Sequence, residues 1–158
     1  MPKQIELDIT YLKMADEWGQ LSKARRRKVG CLIVKDSQII SDGYNGTPAG
    51  YDNNCECETR FGYETKPEVL HAESNALMKL AKSTNSSKDS TIYLTMSPCF
   101  ECAKLIIQAG VKRVVYNEVY RIETGIEFLR SNNVIAECVT IPEVRTISAI
   151  HDSCGYEC

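Results

Sequence analysis

The chain has 158 residues, a formal net charge of −2, 43% hydrophobic and 25% charged residues, which suits one domain over 1–158 with its own core and argues against reliance on nucleic-acid phosphates. No stretch approaches the ~20 apolar residues of a membrane span, and residues 1–6 carry no secretory hydrophobic region, so a cytoplasmic location without membrane partners is expected. Eight cysteines in a chain large enough to bury a core fit free thiols or metal in a reducing compartment better than a disulfide scaffold.

Residues 5–21 carry Ile5, Ile9, Leu12 and Trp18 at near-helical spacing, with Asp8, Lys13, Asp16 and Glu17 between them. That pattern predicts an amphipathic helix covering one face of a sheet. The basic run at 23–28 is a solvated face, a weak nucleic-acid patch or, directly before a strand, a hold for phosphates. Residues 29–34 are continuously apolar, a buried strand with Cys31 as a core thiol. Lys35-Asp36-Ser37 turns the chain into the second strand of a hairpin over 38–44. Gly43-Tyr44-Asn45-Gly46-Thr47-Pro48-Ala49-Gly50 is loop chemistry, or a close backbone approach to a ligand with the Asn45 amide donating and accepting. Residues 47–68 lack clear periodicity and are expected as a long loop. Cys55 and Cys57 within it are a candidate pair for a second metal, although no ligand set can be completed.

A helix is expected over 72–82, a strand over 91–95, a helix over 102–109 stopped by Gly110, a strand over 113–116, a helix over 122–130 and a last strand over 134–140 with a structural Cys138. The tail reads as partly helical over 144–150. Its His151, Cys154 and Cys158 form either a chelating group or a frayed end. Helix, hairpin, then alternating helix and strand predicts an α/β fold: a three-layer α/β/α arrangement with a mixed sheet of about five strands. Strands separated by helices should run parallel, and the opening hairpin adds one antiparallel strand.

Two short stretches carry the chemistry: His71-Ala72-Glu73 and Pro98-Cys99-Phe100-Glu101-Cys102. Cysteines three apart at a helix start share one face of its first turn, where the amide dipoles favour thiolate. Pro98 fits a helix start because its missing N–H has no helical partner to lose. His71 completes a Cys2His set that leaves a fourth tetrahedral position open for water, and a zinc ion there lowers that water's pKa. Glu73, two residues past the histidine, is close enough to take the water's proton and hand it to a ring nitrogen. The joint pattern H-x-E…P-C-x-x-C is the signature of zinc nucleobase deaminases. A closed structural zinc site with a fourth protein ligand is the competing reading, and it leaves Glu73 without a task.

From about Arg26 to Pro142 the chain resembles the deoxycytidylate (dCMP) deaminase family of the cytidine-deaminase-like superfamily. The resemblance is carried by Arg26-Arg27-Lys28-Val29-Gly30, Gly43-Tyr44-Asn45-Gly46-Thr47-Pro48, His71-Ala72-Glu73-Ser74-Asn75-Ala76, the run from Ser97 through Cys102 to Gly110, and Tyr120-Arg121. It implies hydrolysis of dCMP to dUMP and ammonia, supplying dUMP for thymidylate synthesis. His71, Cys99 and Cys102 would hold a catalytic Zn2+, and Glu73 would be the proton shuttle. Asn45, Ala72, Tyr120, Arg121 and Arg26 would bind substrate, with Tyr120 and Arg121 beside the 5′-phosphate. The resemblance further implies a homohexamer, activated by dCTP and inhibited by dTTP, each with Mg2+, at a site between subunits that uses Gly43, Tyr44, Asn45 and Gly46. The 47–68 segment departs from the family pattern. The alternatives are a deaminase of another nucleobase or nucleotide, dCTP included, and a nucleotide-sensing zinc domain without turnover.

Overall fold

A computed structural model describes residues 1–142. The helix expected over 144–150, with His151, Cys154 and Cys158, lies outside the described residues. In chain order the elements are α1 (Gln4–Gly19), β1 (Gly30–Lys35), β2 (Gln38–Tyr44), β3 (Glu56–Thr59), β4 (Gly62–Thr65), α2 (Ala72–Ala81), β5 (Thr91–Met96), α3 (Phe100–Gln108), β6 (Arg113–Glu118), α4 (Thr124–Ser131) and β7 (Ile135–Cys138).

The main sheet has five strands in the order β2-β1-β5-β6-β7. β5, β6 and β7 are parallel, and β1 is antiparallel to both β2 and β5. The strands flanking each helical crossover thus share one direction, and the hairpin places its single reversed strand between β2 and β5. Asp36 and Ser37 both have positive φ. That left-handed pair makes a two-residue turn whose twist matches its strands.

One face of the sheet is covered by α2, α3 and α4. Cys31, Ile33, Ile92, Leu94 and Val114 from the strands pack there with Ala76, Leu80, Ile106, Ile126 and Leu129. The other face carries α1, with Leu12 and Ala15 against Leu32, Val34, Tyr93 and Val115. This is the three-layer α/β/α arrangement expected, with each apolar strand surface buried on both sides.

Two expectations need correction. The buried face of α1 is Asp8, Leu12, Ala15 and Gly19, while Ile5 and Trp18 are exposed. Asp8 replaces the apolar residue because it arrives with its partners: Arg113 donates from Nη1 and Nη2 at 2.8 and 2.7 Å, and Tyr93 from its hydroxyl at 2.8 Å. Segment 47–68 is not all loop, since β3 and β4 form a separate antiparallel hairpin within it. All four residues of β4 are exposed, so no alternation of apolar and polar residues marks it. The remaining boundaries shift by a few residues, as frayed helix ends do.

Candidate metal centre and active site

His71 is the residue capping the start of α2, and Cys99 caps the start of α3. Each has extended backbone, and Cys99 Sγ accepts from the Cys102 N–H across the end of its helix. Gly43 of β2 lets α2 approach: a Cβ there would collide with the carbonyl of Ala72 and stand 3.1 Å from the Cα of Ala76. The Asn75 amide donates to the Tyr44 carbonyl at 2.9 Å, fixing the same junction. β5 delivers Ser97, Pro98 and Cys99 to the adjoining edge, so both helix N-termini open at one end of the sheet.

His71 Nδ1 lies 3.5 Å from Cys99 Sγ and 3.4 Å from Cys102 Sγ. The three ligand atoms all lie within 4.8 Å of one another. Zinc–sulfur and zinc–nitrogen bonds of ordinary length, set at the tetrahedral angle, put sulfur and nitrogen about 3.5 Å apart, so this donor set fits zinc. The protonation pattern of the bare ligands agrees. Cys99 is lowered to about 4, first by a hydrogen bond from Cys102, then by His71 and by the Cys102 backbone amide, against burial. Cys102 is pushed up as the donor of that bond and by burial. The hydrogen bond to Cys99 raises His71 against the effect of burial.

Glu73 sits in the first turn of α2 and is 4% exposed. Burial raises its carboxyl to about 7, with Cys99 adding to the rise and its own backbone amide, His71 and Cys102 opposing it. A group poised there can both accept and give a proton near neutrality.

The centre opens into a cavity of about 340 Å3, the size of a small-molecule site. Arg26, Asn45, Ala72, Tyr120 and Arg121 line it together with His71, Glu73 and Cys99. All five residues expected to meet substrate therefore share one space with His71 and Cys99, two of the three metal ligands. The segment carrying Tyr120 and Arg121 is tied to the metal turn. Ser97 N–H donates to the Glu118 carbonyl at 2.8 Å, and Tyr120 N–H donates to Ser97 Oγ at 2.7 Å. Asn45 is largely committed to the scaffold, since its Oδ1 accepts from Val29 N–H and its Nδ2 donates to the Arg27 carbonyl, both at 2.8 Å. One amide hydrogen remains for a ligand.

Gly43, Tyr44 and Gly46 do not line this cavity. Tyr44 meets Trp18 edge-on at 6.4 Å, and Gly46 pairs with Leu70 through two backbone hydrogen bonds. Cys55 is buried and Cys57 exposed, and among the described residues His71, Cys99 and Cys102 form the one metal-capable group. Cys31 is a core thiol as expected, and Cys138 is exposed. Sequence reasoning missed Glu56, Thr65 and Arg27, which also line the cavity. Arg27 lay in the basic run, but nothing local marks the other two, because the β3–β4 hairpin brings them there.

Comparison with known proteins agrees with this geometry. Residues 5–118 match the family described as the cytidine and deoxycytidylate deaminase zinc-binding region. The deoxycytidylate deaminase of Enterobacteria phage T4 is 34% identical over 149 residues, covering 70% of this chain and 77% of that protein. The human deoxycytidylate deaminase is 40% identical over 111 residues, covering 67% of this chain and 61% of that protein. A crystal structure of the dCMP deaminase of cyanophage S-TIM5, in complex with dCMP and dUMP, superimposes with a TM-score of 0.81 at 45% identity. It covers 88% of this chain and 100% of that one.

Proposed function

This chain belongs to the cytidine and deoxycytidylate deaminase zinc-binding family, and from that premise we propose that it hydrolyses dCMP to dUMP and ammonia. The observation that carries the reading is the shared cavity, in which His71 and Cys99 of the His71–Cys99–Cys102 group and Glu73 stand together with Arg26, Tyr120 and Arg121. Relatives named deoxycytidylate deaminases support the choice of substrate.

A zinc ion held by His71 Nδ1, Cys99 Sγ and Cys102 Sγ would supply an activated water at neutral pH. Glu73 takes a proton from the attacking water and delivers it to N3 as the water oxygen bonds to C4. It then carries the second proton to the 4-amino group, which leaves as ammonia when the C4–N bond breaks. One buried carboxyl raised to about 7 suits both directions of transfer. Arg121 and Arg26 hold the 5′-phosphate by charge-assisted hydrogen bonds, with Tyr120 beside them. Ala72 presents a small wall to the pyrimidine, and the remaining Asn45 amide hydrogen meets the sugar or base.

The whole chain acts as one catalytic domain in this reading. The unpaired cysteines among the described residues support the cytoplasm as its location. Among those residues no helix is long and apolar enough to cross a membrane. Regulation extends the proposal: dCTP activates and dTTP inhibits, each with Mg2+, at the Gly43–Gly46 loop between subunits of a homohexamer. Two features support this. Asn45 belongs both to that loop and to the cavity lining, and Phe100, Leu105 and Met78 leave apolar surface exposed on α3 and α2.

The test is ammonia release from dCMP, dCTP and deoxycytidine, with and without dTTP and magnesium. Turnover of dCMP suppressed by dTTP is expected. Turnover indifferent to dTTP removes the regulatory role of the loop, and turnover of none of the three overturns the substrate assignment.

A further inference from the structure

We propose that Glu56 is a substrate-binding residue whose Oε2 accepts a hydrogen bond from the 3′-hydroxyl of the nucleotide sugar. The inference rests on the reading of the cavity as a dCMP site.

Glu56 is the first residue of β3 and is 3% exposed. Its two oxygens have different surroundings. Oε1 accepts from the backbone N–H of Arg25 at 2.9 Å and of Arg26 at 3.2 Å. Oε2 is buried and has no hydrogen-bond partner among the described residues. Buried polar atoms are almost always paired, and an unpaired carboxylate oxygen is costly. Glu56 lines the same cavity as His71, Glu73 and Arg26, and a ligand seated there that displaces what covers Oε2 would supply the missing donor.

The chemistry of the substrate selects that donor. Cytosine O2 and N3 are acceptors, and the phosphate dianion offers acceptors only. The two donors of dCMP are the 4-amino group and the 3′-hydroxyl. The amino group must lie against Glu73 and the metal ligands to react. The hydroxyl remains for Glu56, between the reacting ring and the phosphate held by the arginines. The same carboxylate also fixes the backbone of Arg26, whose Nη1 reaches Thr65 Oγ1 at 3.3 Å. Glu56 thus sets the sugar and the start of the phosphate clamp together.

The experiment compares dCMP with 2′,3′-dideoxycytidine 5′-monophosphate, which differs only by the missing 3′-hydroxyl. Binding is measured by calorimetry on zinc-loaded protein in a Glu73→Gln background, so that neither nucleotide turns over, and kcat/KM is measured on the enzyme with Glu73 intact. With Glu56 present, dCMP should be preferred by about 10–100-fold, the range of a hydrogen bond to a charged acceptor. Glu56→Ala should abolish that preference: loss of the Arg25 and Arg26 backbone contacts weakens both nucleotides alike through their shared phosphate, and only dCMP loses the hydroxyl contact as well. Glu56→Gln keeps a carbonyl oxygen for the Arg25 and Arg26 amides and offers a weaker neutral partner to the hydroxyl, so its preference should fall between the two. An unchanged preference in both variants, with dCMP still bound, overturns the role of Glu56 and leaves the deaminase reading intact. Failure of the unsubstituted protein to turn over dCMP, and of the Glu73→Gln protein to bind it, overturns both.

Discussion

Replacing Gly125 by alanine should loosen the metal site from behind. Gly125 is buried in the first turn of α4. A Cβ there would stand 2.9 Å from the carbonyl carbon of Cys99 and 3.0 Å from its oxygen, and would collide with the Pro98 carbonyl oxygen. Ordinary carbon–carbon contact begins near ~3.5 Å, so the backbone of Cys99 must yield by roughly 0.6 Å. The helix cannot easily retreat instead. Ile126 and Leu129 are packed in the core, and Phe128 lies against Phe100 with ring centroids 4.7 Å apart. Metal ligands tolerate only about 0.2 Å of displacement. A disturbed supporting contact of this kind should lower zinc affinity by about 10–100-fold. Overpacking should remove about 1–3 kcal/mol of stability, a fall in Tm of roughly 2–12 °C for a chain of this size. Competition against a chromogenic chelator measures the first effect and thermal unfolding the second. Unchanged zinc affinity in a folded Gly125→Ala protein would refute the claim that α4 holds the metal turn in place.

Arg121→Ala should raise KM for dCMP by about 10–100-fold, the cost of a lost charge-assisted phosphate contact, and leave deoxycytidine nearly unaffected. Equal effects on both substrates count against a phosphate role. Arg113→Met should cost about 3–5 kcal/mol at neutral pH in urea unfolding, because it strands the buried Asp8 carboxylate. Burial pushes Asp8 up, and hydrogen bonds from Arg113, Gln4 and Tyr93 more than offset it, so its folded value lies below the ordinary carboxylate range. Its contribution is therefore complete above that range and is lost as pH falls through the lowered folded value. Without Arg113 the burial effect dominates and Asp8 protonates more readily, so the cost of the substitution should shrink in acid. A pH-independent cost would contradict this.

The grouping of the site was legible because zinc ligation and proton transfer demand particular side chains at fixed spacing. His71, Glu73, Cys99 and Cys102 needed no knowledge of the tertiary fold. The apolar strands were equally plain, since β1 and β5 are buried on both faces and read as continuous runs. What stayed hidden depends on contacts between distant segments. Asp8 interrupts the apolar stripe of α1, and its partner Arg113 lies 105 residues away. The position of β1 between β2 and β5 is likewise a matter of pairing that hydrophobic pattern alone does not encode. Glu56 looked like one polar residue in a polar segment. Its burial follows from the β3–β4 hairpin folding over the 25–26 backbone, and that hairpin has too few apolar residues to announce itself. The basic run at 23–28 was ambiguous for the same reason. The fold divides it: Arg26 reaches Thr65, and Arg27 pairs with Glu118 at 3.2 Å, while both line the cavity.

The most direct test of the central claim is kcat/KM for dCMP in the zinc-loaded protein and in Glu73→Gln at equal zinc content. Ammonia release by the former is expected, with a loss of about 10²–10⁴-fold or more in the latter and zinc and nucleotide binding retained, because one carboxyl serves both proton transfers. A loss smaller than about tenfold would contradict the assignment of Glu73, since a general acid–base group is worth more than that. No turnover in either protein, with nucleotide still bound, would point to a sensing domain instead.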